Sequence, residues 1–314
     1  IRRFSPDIVH AHNWIGRSYL PISRTSGARY VVTLHDCSRA CAQGRMMYRG
    51  ESYCHPTDAL RCLDCCTYQY GAIKGFVTLL GNRVVRRSEM RAVDLYLPVS
   101  KAVAEANQLA DGRARYEIVP NFVDDAPVEH GELPREIELL PTEPFILQVG
   151  DVVDDKGVRV LLEAYTGLES PPPLVLIGRI APEMRAELPP GVVATGPLPH
   201  ALVAEAWRRS FFGTMPSLCL DACPTVTLEA MAASKPVVAS ARGGLTDQVV
   251  GGQTGFLVPP GDALALRDAM ARLIADSALR RRMGDAARKR FEGEFRADVI
   301  IDRIQRLYCE VAEG

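Results

Sequence analysis

One rhythm constrains this chain more than any other feature. Short runs rich in β-branched residues recur along it: DIVHAH, YVVTLHD, DLYLPVS and YEIVPN, then FILQVGD, LVLIGR, VVATG, GTMPS, PVVAS and GFLVP. Between them lie stretches with apolar residues at helical spacing. Strands that are apolar along their whole length must be buried on both faces, which a parallel sheet covered by helices achieves. The class is therefore α/β.

The rhythm stops between Asn121 and Phe145, where DDAPVEHGELPREIELLPTEP is rich in proline and acids. Residues 1–124 are expected to form a first Rossmann-like domain and 125–143 a linker. Residues 144–295 would form a second Rossmann-like domain and 296–314 a closing helix. Two such domains would face a cleft, with ligand beyond the C-terminal ends of the strands.

At 314 residues and 47% hydrophobic, the chain can bury two cores. A net charge of -1 argues against nucleic acid as a partner. No apolar run reaches the roughly 18 residues of a membrane span, and no export signal opens the chain, so a cytoplasmic protein is expected. The start at Ile1, in IRRFSPDIVHAHN, reads as the tail of a helix running into a strand. The first domain is accordingly expected to be incomplete.

The stretch SLCLDACPTVTLEAMAAS sets Asp221 and Glu229 on either side of a Cys-Pro-Thr turn. Pro224 tolerates only a first helical turn, so a helix starts near 223 to 225. Its first amides, Thr225 and Val226 among them, have no partner within the helix and make a seat for phosphate. Acids beside a phosphate must hold something else, such as ribose hydroxyls at Glu229 and sugar hydroxyls at Asp221. The plainer reading is a cap and a solvated face. Lys156, between a Gly-bearing loop and the helix VRVLLEAY, fits a diphosphate clamp, although most such lysines are simply solvated. Gly243 and Gly244 in SARGGLTDQ permit close backbone approach by a ligand.

In order, PDIVHAHN, VVTLHD, LPVSKAV, IVPNFVD, ILQVGDVVDDKGVRVLLEAY, MPSLCLDACPTVTLEAMAASKPVVAS and GGLTDQVVGGQTGFLVPPGD resemble the group 1, family 4 retaining glycosyltransferases of the GT-B fold. The resemblance implies transfer of a sugar from a UDP- or GDP-type donor to a saccharide or lipid-linked acceptor, with retention of anomeric configuration. It implies Glu229 on the donor ribose, Asp221 on the transferred sugar and Lys156 on the diphosphate. Thr225 and Val226 would face the distal phosphate, and Gly243 and Gly244 the diphosphate or sugar. His35, ending the strand VVTLHD, is implied near donor sugar and acceptor. Two departures stand out: Asp221 is shorter than the family's Glu, and Asp151 replaces an Arg that helps hold phosphate. No D-x-D occurs, so no catalytic cation is expected. His10 and His12 share a strand face and read as structural.

Six of nine cysteines lie between 37 and 66. In a chain without an export signal this clustering points to metal, with Cys41, Cys54, Cys62 and Cys65 as a structural zinc set. Free thiols on a loop are the alternative. Residues 71–91, GAIKGFVTLLGNRVVRRSEMR, form an amphipathic helix with Lys74, Arg83, Arg86, Arg87 and Arg91. It could rest on anionic lipid at the inner membrane face, but the favoured expectation is an apolar stripe packed on the core. Three rivals remain: a sugar-nucleotide epimerase of the same fold, a glycosidase using Asp221 and Glu229, and an inactive fragment that only binds nucleotide.

Overall fold

The computed structural model describes residues 4–50, 52–54, 58–125 and 134–313. Two units divide them: residues 1–121, 219–223 and 300–314 form one, and residues 122–218 and 224–299 the other. The division is not a single cut, because two later segments return to the first unit. Residues 126–133 of the expected linker lie outside the described residues; beyond them Leu140 is buried among the second unit's apolar side chains.

The first unit carries β1 (Ile8–His12), β2 (Arg29–Leu34), β3 (Met47–Tyr48), β4 (Ser52–Tyr53) and β5 (Leu95–Pro98). Strands β1, β2 and β5 pair in that order in a parallel sheet, with Ile8 opposite Arg29 and Val31 opposite Leu95. The short β3 and β4 form an antiparallel ribbon within the cysteine-bearing segment. YEIVPN, expected as a strand, makes only one bridge, Tyr96 to Tyr116. It does run beside β5, Glu117 N–H donating to Tyr96 O at 2.9 Å and Val119 N–H to Pro98 O at 3.0 Å. Pro98 has no N–H to give back, so the ladder cannot extend there. Ile300, Leu307 and Val311 of the last helix bury against Val31, Leu95 and Leu97.

The second unit holds β6 (Ile146–Val149), β7 (Leu174–Ile177), β8 (Val192–Gly196), β9 (Phe212–Met215), β10 (Val237–Ser240) and β11 (Gly255–Val258). They form one parallel sheet in the order β11-β10-β9-β6-β7-β8. Alternation decides which face each residue serves. Ile146, Leu174 and Leu176 pack with Val158, Leu161, Leu266 and Met270 on one side, while Leu147, Val175 and Ile177 pack with Ala206, Trp207 and Ala230 on the other. Burying each large side chain contributes about 1.5–3 kcal/mol, so truncating Leu161 to Ala should cost about 2–5 kcal/mol. The order reverses between β6, whose successor β7 lies on one side, and β9 on the other. Such a reversal leaves a crevice at the C-terminal ends of the two strands.

The basic stretch departs from expectation. Its helix, Ala72–Ala92, buries Gly75, Asn82 and Glu89. A Cβ on Gly75 would come within 2.6 Å of the Cys66 and Thr67 backbone, so the glycine lets the preceding helix, Ala59–Tyr70, pack close. Asn82 Nδ2 donates to Ser38 O at 3.2 Å, and Glu89 lies 3.6 Å from Arg17. On the opposite side Ile73, Phe76, Val77, Leu80 and Val84 are 82%, 55%, 61%, 52% and 57% exposed. Their spacing of i, i+3, i+4, i+7 and i+11 is that of a core stripe, yet the face packed on the core is the one with the carboxylate, amide and glycine. No described helix is long and apolar enough to cross a membrane.

Candidate functional site

Three loops leave the second unit's neighbouring strands β6, β9 and β10 at their C-terminal ends and are tied to one another. Gly157, at φ +74°, brings the loop after β6 against the loop after β9; a Cβ there would meet Pro216 O at 2.0 Å. Leu218 N–H donates to Asp155 O at 2.9 Å, and Arg242 donates to Leu218 O. The first loop carries Lys156 in a 3-10 turn, Asp154–Lys156, just before the helix Val158–Thr166. The second enters the helix Thr225–Ala232 directly after Pro224. The third carries Gly243, at φ +62°, and Gly244. Lys156, Thr225, Val226, Gly243 and Gly244 thus occupy the C-terminal edge of three adjacent strands, beside the topological switch. A cation, unpaired amides of a helix N-terminus and a bare backbone are what a diphosphate needs.

Glu229 follows Thr225 by four residues on the same helix, so the two share a face about 6 Å apart along the axis. Trp207 Nε1–H donates to Glu229 Oε2 at 3.2 Å. Glu229 and Trp207 line a pocket of about 620 Å³ together with Asp124, Asp125 and His200. Arg288 neutralises Asp125 through two 2.6 Å bonds and also donates to Ala232 O. The five phosphate-type residues do not line this pocket; the Thr225–Ala232 helix joins the two features.

Asp151, which stands where a cation was expected, accepts two hydrogen bonds from Arg179, at 2.9 and 2.6 Å. These bonds hold its carboxyl below the usual carboxylate range. Arg179 comes from the loop after the adjacent strand β7, so a cation stands beside the loop after β6, paired with Asp151. Only a structure pairs residues 28 apart in this way, and nothing in the sequence marked Arg179.

The remaining candidates lie in the first unit. His12 Nδ1 and His35 Nε2 are 2.9 Å apart with their rings stacked at 5.1 Å between centroids, so one nitrogen donates to the other. His35 N–H donates to Asn13 Oδ1 at 2.6 Å. Burial first, then the neighbouring His12, lowers the His35 imidazole below its ordinary value, and a hydrogen bond with Asn121 acts against them. Asn121 Nδ2 also donates to Cys223 O at 2.7 Å, which ties His35 to the segment carrying Asp221. Asn121 was visible in IVPN without an assigned role. His10 is structural, as expected: its ring is within 2.7 Å of Thr33 Oγ1 and 2.5 Å of the Tyr308 hydroxyl.

Two family models cover nearly the whole chain. The model for glycosyl transferases group 1 matches residues 131–290, and the model for glycosyltransferase family 4 matches residues 1–126. The chain belongs to the group 1 glycosyltransferases. A capsular polysaccharide biosynthesis glycosyltransferase, CapM of Staphylococcus aureus, is 27% identical over 190 residues, 58% of this chain and 50% of CapM. The chain thus spans about half the length of that relative. Among solved structures, sucrose-phosphate synthase from Thermosynechococcus elongatus superposes with a TM-score of 0.73 at 23% identity, covering 99% of this chain and 75% of the other. Anabaena HepE in complex with UDP and glucose gives 0.71 at 18% identity, covering 98% and 80%. The fold is the α/β GT-B type.

Proposed function

We propose that this chain transfers a sugar from a nucleoside-diphosphate donor of the UDP or GDP type to a saccharide or lipid-linked acceptor, with retention at the anomeric carbon. One observation carries the reading: Lys156, the helix start at Thr225 and Val226, and Gly243 and Gly244 converge at a topological switch. HepE, of the same fold, is described with UDP and glucose, and CapM by its name builds a capsular polysaccharide.

In this reading Lys156 and the amides of Thr225 and Val226 hold the diphosphate, and the Gly243–Gly244 backbone lies alongside it. Glu229 accepts the ribose hydroxyls while Trp207 fixes its other oxygen. As the bond to the anomeric carbon breaks, negative charge grows on the leaving diphosphate, and the lysine and helix dipole stabilise it. Asp221 binds hydroxyls of the transferred sugar. His35, hydrogen-bonded to His12 and to Asn121, contacts the sugar and acceptor. An epimerase or a glycosidase gains no support from these contacts.

The exposed stripe on Ala72–Ala92 suits an acceptor held at a bilayer. Lys74, Arg83, Arg87 and Arg91 are exposed on the same helix, and we assign this face to an anionic lipid surface.

Calorimetric titration of UDP and GDP into the wild type and Glu229→Ala tests the donor site. Binding of one nucleotide, weakened about ten-fold by the substitution, about 1.4 kcal/mol, supports the reading. Equal binding by both proteins removes Glu229 from it, and no binding of either nucleotide removes the donor site.

A further inference from the structure

The cysteine-bearing segment takes no part in the site above, and its residues have a geometry of their own. Cys41 sits in the turn after β2, its N–H donating to Cys37 O at 2.8 Å and its carbonyl accepting from Gly44 N at 2.9 Å. Cys54 leaves β4, with its N–H on Met46 O at 2.9 Å. Cys62 and Cys65 lie three residues apart on the helix Ala59–Tyr70, which places them on one face. Three separate pieces of chain thus bring Cys41, Cys54, Cys62 and Cys65 to the wall of a single cavity.

That cavity measures about 30 Å³, room for one water-sized occupant, since about 10–15 Å³ already admits one. Cys65 Sγ receives an N–H from Gln43 Nε2 at 3.2 Å and one from the Arg49 backbone at 3.4 Å. Hydrogen bonds of this kind orient and stabilise a ligating thiolate, and they favour Cys65 over its neighbour Cys66. Arg61 also lines the cavity, a cation suited to a site that gains negative charge. The segment's own apolar core is small: two strands of two residues each, and a cluster of Cys37, Met46 and Ala106 with Cys41 and Tyr53 at its margin.

We propose that Cys41, Cys54, Cys62 and Cys65 bind one zinc ion as a closed four-thiolate site that holds the segment together. As the side chains stand, no group of three or more His, Cys, Asp or Glu among the described residues is placed to hold an ion. The four residues line the cavity, and closing on zinc at about 2.3 Å requires their sulfurs to converge by side-chain rotation. Binding displaces the four thiol protons to solvent and forms four Zn–S bonds; no oxidant or reductant takes part. Four sulfurs in a tetrahedral set select zinc or iron over harder cations.

The full chain, purified without chelator, is analysed for zinc and iron by mass spectrometry and then loaded with Co²⁺. One zinc per chain is expected, with an intense visible absorption from tetrahedral cobalt thiolate after exchange. Cys62→Ser and Cys65→Ser should lose zinc at least ten-fold, whereas Cys37→Ser and Cys66→Ser should retain it. Zinc below a tenth of an equivalent after loading, iron in its place, or unchanged zinc in Cys62→Ser would overturn the proposal. So would fewer than nine titratable thiols in the denatured, unreduced protein, which would signal disulfides. Should the serine variants fail to fold, the cobalt spectrum of the wild type decides alone.

Discussion

Trp207 donates its indole N–H to Glu229 from a position only 1% exposed, so the carboxylate is held by a fully packed side chain. The ring is locked from behind as well: a Cβ on Gly213 of β9 would come within 2.8 Å of it. One oxygen of Glu229 is thereby fixed and the other is left to accept from ligand. Trp207→Phe keeps the packing and removes the donor. Loss of one hydrogen bond to a charged group costs about 1.5–3 kcal/mol at most, and calorimetry should show donor nucleotide binding weakened roughly 10-fold with little change in thermal stability. Trp207→Ala should instead lower stability by about 3–5 kcal/mol, and equal losses of stability in both variants would count against an orienting role.

Lys156 offers a different signature, because its proposed partner, already anionic in the donor, gains further charge as the reaction proceeds. Lys156→Ala should lower turnover by about 10²-fold while donor affinity falls much less. Lys156→Arg keeps the charge but spreads it over a planar fork, so turnover should lie between the two. A KM effect without a kcat effect would move Lys156 from the leaving group to ground-state binding alone.

The Asp151–Arg179 pair is exposed, with Arg179 79% accessible, so by itself it contributes little to stability. Its effect should appear in donor binding instead. Asp151→Asn removes an anion next to the diphosphate loop and frees the guanidinium, and nucleotide affinity should rise by about three-fold at low salt, the gain shrinking as ionic strength increases. Arg179→Ala should act in the opposite direction. If Asp151→Asn weakens binding, the carboxylate is a positioning group for Arg179 rather than an obstacle to phosphate.

The His10 imidazole gives a pH prediction. Burial, and then the like charges of His12 and His35, lower it from 6.5 to about 4; Thr33 and Tyr308 are its other near polar neighbours. Between those values the unfolded chain carries a proton that the folded chain refuses. Stability therefore falls as pH drops from about 6.5 to 4 and levels off below that. Urea midpoints measured across this window should decline in the wild type and decline less steeply in His10→Gln. Parallel slopes would show that His10 titrates alike in both states.

How much of this was legible beforehand follows from range along the chain. The alternation of apolar runs is local, and it gave ten strand positions, nine of which became strands; YEIVPN failed because of its paired Pro98, a partner no local pattern discloses. The helix start at Thr225 was readable from Pro224 alone. The strand order that makes β6 and β9 neighbours was not, and neither were Trp207, Arg179 and Asn121, each of which acts through a residue 22 to 102 positions away. Periodicity likewise found the stripe on Ala72–Ala92 but not its direction, because the opposite face packs through Gly75 and two polar side chains.

That stripe supplies the last prediction. A face of five large apolar side chains beside four exposed cations is costly to leave in water and has complementary charge for an anionic bilayer. The chain should co-sediment with vesicles containing anionic phospholipid and not with neutral ones, and the bound fraction should fall as salt rises. Phe76→Ser with Leu80→Ser should abolish binding while leaving donor affinity unchanged, because both side chains point away from the residues that pack the helix. Arg83→Gln with Arg87→Gln should weaken binding mainly at low salt, where the electrostatic contribution is largest. Salt-independent binding to neutral vesicles would make the face a general hydrophobic one. Concentration-dependent dimers that Phe76→Ser dissolves would assign it to a second copy of the chain instead.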